Sequence, residues 1–375
     1  MRKFPEIAIL LATYNGEKYI EEQLDSLLNQ NYSCRAAGEG LKTQTEKALL
    51  TKFENTDTGE GSSNILDFVI YIHDDGSNDN TVSIIQKYAD KYPDKITIIE
   101  GPPTGGSKNN FFYLINEVSR IAGVTKEAET IDGTSNAGPK YFFFCDQDDV
   151  WLKDKIETEL TVIKRVEKKD EDEETLPALV WCDMKVVNES LKEISSSFSS
   201  YSHLEPDDLD LDRCIMHGKA AGCSMVCNAQ LIKMCCEITD NSKIIMHDWV
   251  IFLIARMVGR IRYIKTPLAL YRQHSHNSIG AQKDGKIQTF TSIVTRVITL
   301  KQLKTTQKNL KRYIAQLASL KQVKEVYELH WQLINGADTF ENMSPAEKVN
   351  FINKFKLYRH RSSKIWTYIA AFFLR

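Results

Sequence analysis

Three carboxylates lie within four residues directly after an apolar run. The run extends from Tyr141 to Cys145, and Asp146, Asp148 and Asp149 follow it. Carboxylates this close repel one another unless a cation lies between them, and hard divalent cations such as Mg2+ and Mn2+ favour oxygen ligands. The spacing predicts a divalent metal site, with a polar exit from a buried strand as the ordinary alternative.

A second acidic motif, Asp74 to Ser77, follows the apolar run at 68–72, and a third polar motif, Thr13 to Asn15, follows the first apolar run. An aromatic ring at Tyr14 beside a carboxylate suits a nucleobase that is stacked and hydrogen-bonded through its N–H. The alternatives are a tight turn at the acidic motif, because Asp, Gly and Ser favour turns, and a surface aromatic at Tyr14.

These motifs need elements that bring them to one place. Apolar runs predict buried strands at 7–13, 68–72, 96–100 and 141–145, and helical spacing predicts helices at 19–31, 81–92 and 109–122. Alternating strands and helices, with polar residues at the strand ends, indicate an open α/β sheet whose ligand lies at the carboxyl edge.

The second half of the sequence is more mixed. We predict strands at 179–184 and 262–264, helices at 229–236 and 247–258, and a helical, basic segment from 287 onward. A domain boundary near Gly280 separates a catalytic domain at 1–280 from a C-terminal extension at 281–375. Polar segments at about 34–64 and 124–139 lack apolar periodicity and are predicted to be insertions.

The composition and the charge distribution of the chain limit the classes of protein and partner to consider. The chain has 375 residues, of which 42% are apolar and 26% charged, as in globular proteins. Residues 286–375 carry 16 Lys and Arg against 5 Asp and Glu, whereas the preceding part carries 32 against 45. The basic part suggests contact with phosphates or an anionic membrane surface, and the acidic body argues against nucleic acid as a partner.

We expect a cytoplasmic location. The eight cysteines are scattered without zinc-ligand spacing, no signal peptide precedes the first predicted strand, and no apolar run reaches the length of a membrane span. The segment 364–375 is short, aromatic and flanked by cations. It could lie in a membrane interface, which would make the protein peripheral at the inner face of the membrane, or pack on the catalytic domain as a helix.

Taken together, the motifs at 12–16, 74–81 and 146–151 resemble family 2 glycosyltransferases in order and spacing. The Asp-Gln-Asp-Asp-Val-Trp form at 146–151 and the Tyr-Arg-Gln-His form at 271–274 resemble the bacterial rhamnosyltransferase-type branch. The resemblance covers about residues 5–280. It implies a GT-A fold, which is a Rossmann-like mixed open sheet flanked by helices, a dTDP- or UDP-sugar donor, Mg2+ or Mn2+, and inversion at the anomeric carbon. The implied acceptor is a hydroxyl of a polysaccharide or lipid-linked glycan.

The resemblance assigns roles to the donor-side residues. The donor nucleotide would be held by Thr13, Tyr14, Asn15, Asp74, Asp75 and Asp146, with Asp74 either near the base or supporting the loop. The metal and diphosphate would be held by Asp146 and Asp148, and Asp148 would be the direct ligand. Asp149 would support the site or cap a helix from Trp151 onward.

The other roles that the resemblance implies belong to residues in the second half of the chain. Asp248 matches the position of the catalytic base, with a helix cap as its alternative. His274 would complete the metal or diphosphate site, whereas His276 fits a surface loop equally well. Arg272 would hold a phosphate or pair with an acid, and Gly222 would allow the backbone to approach the donor sugar, or belong to a core strand.

Two other functions remain open. Nucleotidyl transfer would also use a metal-bound carboxylate pair on an α/β sheet, but the Thr13 motif lacks a Gly-rich, basic phosphate loop. A catalytically silent nucleotide-sugar-binding protein would not need Asp146, Asp148 and Asp248 together.

Overall fold

The computed structural model describes residues 5–30, 68–124, 138–168, 175–274, 292–358 and 364–374. The predicted insertions at 34–64 and 124–139, the boundary near Gly280 and His276 fall wholly or mainly outside these residues. The strands are β1 (Ile7–Thr13), β2 (Phe68–Asp74), β3 (Ile96–Ile98), β4 (Tyr141–Cys145), β5 (Val150–Trp151), β6 (Ala178–Val187), β7 (Glu193–Ser195), β8 (Met225–Asn228) and β9 (Arg260–Arg272).

In the first half, the helices are α1 (Ile20–Leu28), α2 (Thr81–Lys91), α3 (Ser107–Ile121) and α4 (Lys155–Val166). They continue with α5 (Phe198–Tyr201), α6 (Leu211–Met216), α7 (Ala229–Cys236) and α8 (His247–Val258). The C-terminal helices are α9 (Ser292–Ser319), α10 (Lys324–Thr339), α11 (Pro345–Lys354) and α12 (Lys364–Phe372).

One mixed sheet contains all of these strands, in the order β3-β2-β1-β4-β8-β6-β9-β5, with β7 paired to β6. β1 runs parallel to β2 and β4, whereas β8 is antiparallel to both β4 and β6. Every residue of β1 is buried, because its alternate side chains enter two cores on opposite faces of the sheet. The predicted mixed open α/β sheet with flanking helices and C-terminal helices is confirmed.

Several strands differ in length from their predictions, and β2 and β6 are both longer than predicted, at Phe68–Asp74 and Ala178–Val187. β3 ends at Ile98, before the predicted end at Glu100. The strand predicted at 262–264 is the 13-residue β9, whose parallel pairing with β6 shifts register before Pro267. Polar residues along β9 hide this length from an apolar-pattern search, because its buried residues are confined to the last five positions.

The C-terminal helices pack on one another and on the sheet domain. Gln316 of α9 accepts a hydrogen bond from the Ile245 backbone N–H at 2.9 Å, just before α8. In α12, Ala370 and Ala371 are buried, and Lys348 of α11 donates to the Leu374 carbonyl at 3.1 Å. The segment therefore forms a helix that packs against α9 and α11. No helix in the described ranges has the length and apolar character needed to cross a membrane.

Candidate functional site

The carboxyl ends of β1, β2 and β4 meet at one sheet edge. Thr13 lies opposite Asp74 in the parallel register, and its hydroxyl donates to Asp74 Oδ1 at 2.9 Å. Asp146 follows β4 directly at the same edge. The three motifs that the sequence predicted to converge therefore come together, because parallel strands deliver their ends to one side.

Asp74 organises the turn that follows β2. Its Oδ2 accepts hydrogen bonds from the backbone N–H groups of Gly76, at 3.1 Å, and Ser77, at 2.8 Å. The Ser77 hydroxyl also donates to Asp74 Oδ1, at 2.5 Å. These contacts match the loop-supporting alternative that the sequence left open for Asp74.

Asp75 is buried and bound to the loop before α3. Its carboxylate accepts hydrogen bonds from both the backbone and hydroxyl of Thr104, and from the backbone N–H groups of Gly105, at 3.1 Å, and Gly106, at 2.6 Å. Burial acts to raise the pKa of Asp75, but these hydrogen bonds outweigh it and hold the pKa below its ordinary value. Four donors occupy the acceptor sites of one carboxylate, so a base contact by Asp75 requires one of them to move.

Tyr14 presents its ring to solvent, with the side chain 52% exposed. Its backbone is fixed, because the Gln147 side chain accepts from the Tyr14 N–H at 2.8 Å and donates to the Tyr14 carbonyl at 2.9 Å. Asn15 adopts a left-handed backbone, with φ of 48°, and its N–H donates to the Ser77 hydroxyl at 2.8 Å. The arrangement leaves an aromatic face open on a rigid loop.

Sequence reasoning missed the role of Gln147. The residue lies inside the acidic motif and joins it to the Thr13 motif through the two hydrogen bonds to Tyr14. Its position between Asp146 and Asp148 was a usable signal, because an amide is the one side chain in that motif that can both donate and accept.

The acidic motif places its carboxylates in different environments. Asp146 is partly exposed, and burial of its carboxyl group, followed by repulsion from Asp148 and Asp248, raises its pKa to about 7. Asp149 is buried, and its Oδ1 accepts from the Arg272 backbone N–H at 3.0 Å. The prediction that Asp149 caps a helix was wrong, since α4 begins at Lys155 with Asp154 before it, and Trp151 lies in β5.

His274 lies beside the acidic motif, as predicted. Its Nε2 is 2.7 Å from Asp148 Oδ2, and its ring centroid is 5.0 Å from that of Tyr19. An imidazole and a carboxylate at this distance form either a hydrogen-bonded pair or two ligands of one cation.

Arg272 is almost wholly buried and pairs with an acid, which was the second of its two predicted roles. Its Nε donates to the Asp148 carbonyl at 2.7 Å, Nη1 donates to the Glu189 carbonyl at 2.6 Å, and Nη2 pairs with the Glu22 carboxylate. The guanidinium also lies over the Tyr19 ring, 4.5 Å from its centroid. The Arg272 side chain thus fixes the acidic loop by binding the backbone carbonyl of Asp148.

Asp248 lies in the first turn of α8, two residues after the capping position at Met246. Its Oδ2 accepts from the Gly222 N–H at 3.2 Å and its Oδ1 from the Trp249 N–H at 2.6 Å. Burial raises the pKa of Asp248 to about 6, although these backbone hydrogen bonds oppose the rise. The charge of Asp248 also raises the pKa of Asp146, so the two carboxylates lie close enough to interact.

Gly222 lies against the start of α8. A Cβ at this position would be 2.7 Å from Nε2 of His247, whose ring is buried and stacked on Phe111 at 4.0 Å between centroids. Burial lowers the pKa of His247 to about 3. The close approach requires glycine, so the small residue serves packing next to Asp248.

No family model matches the chain. A dTDP-rhamnosyl transferase, RfbG, of Shigella flexneri is 26% identical over 284 residues, which is 72% of this chain and 74% of that protein. An uncharacterized glycosyltransferase, RP339, of Rickettsia prowazekii is 22% identical over 252 residues, 65% of this chain and 57% of that protein. The resemblance to rhamnosyltransferase-like glycosyltransferases is confirmed by these relatives.

Solved structures give weaker similarity. Residues 1–349 of S. aureus TarS superpose with a TM-score of 0.44 at 16% identity, covering 95% of this chain and 93% of that chain. A mannosyltransferase from Pyrobaculum calidifontis, solved with GDP-Man and Mn2+, gives a TM-score of 0.40 at 14% identity, covering 98% and 85% of the two chains. Similarity at this level does not define a shared activity.

Proposed function

We propose that this chain is an inverting, metal-dependent family 2 glycosyltransferase. It transfers a hexosyl or deoxyhexosyl unit from a nucleoside-diphosphate donor to a hydroxyl of a polysaccharide or lipid-linked glycan. The single observation that carries the proposal is the proximity of Asp146, at the end of β4, to Asp248, at the start of α8: each carboxylate has a raised pKa, and the charge of Asp248 contributes to that of Asp146. Neighbouring carboxylates with perturbed pKa values are typical of catalytic sites.

The donor side supports a nucleoside diphosphate. The exposed ring of Tyr14 offers a stacking face for the base, and the turn held by Thr13, Asn15 and Asp74 fixes that ring at the sheet edge. The sugar would lie near Gly222, whose N–H already reaches the carboxylate proposed as the base. The similarity to a dTDP-rhamnosyl transferase makes dTDP-rhamnose the first donor to test.

The residues present fit a divalent cation. Asp146 and Asp148 repel each other, and the nearby guanidinium of Arg272 is bonded to other groups, so a cation is the natural neutraliser. Mg2+ or Mn2+ would be held by Asp146 and Asp148, with His274 as a further ligand. When bound, the cation would neutralise charge on the diphosphate leaving group.

Asp248 is proposed as the general base. Its carboxylate would accept the proton of the acceptor hydroxyl as that oxygen attacks the anomeric carbon from the face opposite the diphosphate, which inverts the configuration. A pKa of about 6 suits this role, because the group is charged near neutral pH and still a competent proton acceptor. The hydrogen bonds from Gly222 and Trp249 hold it in one orientation.

We also propose a peripheral contact with the inner face of a membrane, where a lipid-linked acceptor would be found. Phe372 and Phe373, at the end of α12, are 49% and 63% exposed. Clustered cations in the C-terminal helices would attract anionic headgroups around such side chains.

The proposal is tested by calorimetry of UDP- and dTDP-sugars with and without Mn2+, followed by transfer assays with the donor that binds. We expect one donor class to bind more tightly with Mn2+ and to release its nucleoside diphosphate when an acceptor is present. Absence of metal-dependent binding for every donor would overturn the proposal. Release of inorganic pyrophosphate instead, from a nucleoside triphosphate and a sugar phosphate, would favour nucleotidyl transfer.

A further inference from the structure

A second group of ligand atoms combines two carboxylates of the acidic motif with a buried thiol. One atom each from Asp146, Asp149 and Cys223 lie within 4.8 Å of one another. Cys223 is fully buried in the single helical turn between Gly222 and Ser224 that leads into β8. The pairing of β8 with β4 brings this thiol close to the carboxyl end of β4, which Asp146 follows.

Only one of the two carboxylate oxygens of Asp149 has a hydrogen-bond partner among the described residues. The residue is 1% exposed, its Oδ1 accepts from the Arg272 backbone N–H, and its Oδ2 has no hydrogen-bond partner among the described residues. A buried carboxylate oxygen without a partner is costly, and structures usually satisfy it with a donor or a cation.

The buried ammonium of Lys155 acts on the pKa of the Cys223 thiol, but its hydrogen bonds go to Glu159 and Cys182. Cys223 Sγ lies 3.7 Å from Met184 Sδ, which is a soft, uncharged neighbour. The guanidinium of Arg272 donates to the Asp148 and Glu189 carbonyls and pairs with the Glu22 carboxylate, and its backbone N–H donates to Asp149.

Two carboxylates and one thiol form a donor set distinct from the carboxylate and imidazole groups of Asp148 and His274. A thiolate favours Zn2+, Cd2+ and Co2+ over Mg2+ and Ca2+, which prefer oxygen alone. Three protein ligands leave further coordination positions open. Asp146 is partly exposed and so connects this group of ligands to solvent.

We propose that Asp146, Asp149 and Cys223 form an inner site for a thiophilic divalent cation, and that its occupancy inhibits transfer because Asp146 is shared with the diphosphate side. The second half of this proposal rests on the proposed function, whereas the first does not. Binding converts the Cys223 thiol to a thiolate, and the released proton passes to the buffer.

The first half is tested with Co2+ in the absence of any donor. Thiolate ligation gives a sulfur-to-cobalt charge-transfer band in the near ultraviolet, and we expect the full chain to show this band. Added Zn2+ should abolish it by competition. Cys223→Ser should lose the band, whereas Cys236→Ser, which changes a partly buried cysteine on α7, and Asp148→Asn should retain it.

Asp149→Asn provides an independent check if Cys223→Ser does not fold, as judged by circular dichroism. It should weaken Co2+ binding at least tenfold while keeping the thiol. Absence of the band in the parent, its persistence in a folded Cys223→Ser, or unchanged affinity in Asp149→Asn would each overturn the inner site.

The second half is tested by adding Zn2+ to Mn2+-supported transfer, at concentrations that displace Co2+. We expect inhibition in the parent and its loss in Cys223→Ser. A cobalt band without zinc inhibition would overturn the shared-ligand claim. If no donor supports transfer at all, the proposed function fails while the cobalt result still decides the inner site.

Discussion

Replacing Asp248 by Asn separates catalysis from folding. Asn keeps the size of the side chain and one oxygen that can accept from Gly222 or Trp249, but it cannot take a proton. General-base catalysis contributes roughly 10²–10⁴ in rate, so we expect kcat to fall by that factor. Affinity for the donor should not change, because the hydrogen bonds of Asp248 come from the backbone N–H groups of Gly222 and Trp249.

The same substitution should raise the free energy of unfolding, although it lowers kcat. The pKa of Asp248 is raised from 3.8 to about 6 in the folded chain. The folded state therefore holds the proton more tightly, so stability is lost as pH rises from about 4 to 6 and the buried group becomes charged. Two pKa units correspond to about 3 kcal/mol, and partial exposure reduces this to about 1–2 kcal/mol. Near neutral pH, Asp248→Asn should be more stable than the parent by up to that amount.

The assay combines transfer kinetics over a range of pH, donor calorimetry and urea unfolding. In the parent, kcat/KM, which reports the pKa of the free enzyme, should fall as pH drops through about 6, and one unit below that pKa about a tenth of the molecules carry the charged base. Asp207→Asn is a matched control, because this exposed aspartate pairs with the exposed Lys265. Full residual turnover in Asp248→Asn, or a parent pH profile that is flat through this range, would refute the base assignment.

Three further substitutions test the surrounding structure. Gly222→Ala places a Cβ 2.7 Å from His247 Nε2, so urea unfolding should show a loss of about 1–3 kcal/mol, and an unchanged midpoint would contradict the packing argument. Lys155→Met leaves the fully buried Glu159 without its partner at 2.8 Å and should lower the free energy of unfolding by about 3–5 kcal/mol. Adding Glu159→Leu should recover most of that loss. Equal losses in the single and double variants would argue against the pair. Tyr14→Ala should weaken nucleoside-diphosphate binding by about 1–3 kcal/mol through lost base stacking, and calorimetry that shows no change would exclude the ring from the base site.

The sequence predicted the elements that are defined by local apolar patterns. β1, β4, α7 and α8 have the predicted bounds, because each is an apolar or amphipathic run with polar residues at its ends. β9 was missed over most of its length, since its pairing with β6 compensates for a sequence that does not alternate.

Side-chain partners were less predictable than the elements. Arg272 pairs with Glu22, a residue 250 positions earlier in the chain, and this choice depends on how α1 and β9 meet in space. Asp75 is bound by Thr104, Gly105 and Gly106, which lie in a different loop. The sequence motifs therefore identified the carboxylates. Which of their oxygens are already hydrogen-bonded depends on the folded structure.

The C-terminal helices bear on the orientation of Asp248, although they lie outside the motifs. Gln316 of α9 holds the Ile245 N–H directly before α8, and Tyr313 of the same helix contacts the Trp249 ring at 5.4 Å between centroids. Trp249 is the residue whose backbone N–H donates to Asp248 Oδ1. The first turn of α8 is thus fixed from one side by Gly222 and from the other by α9. Because a general base must lie within hydrogen-bond reach of its proton, the basic extension contributes to the geometry of the proposed site and is not merely an appendage for partner binding.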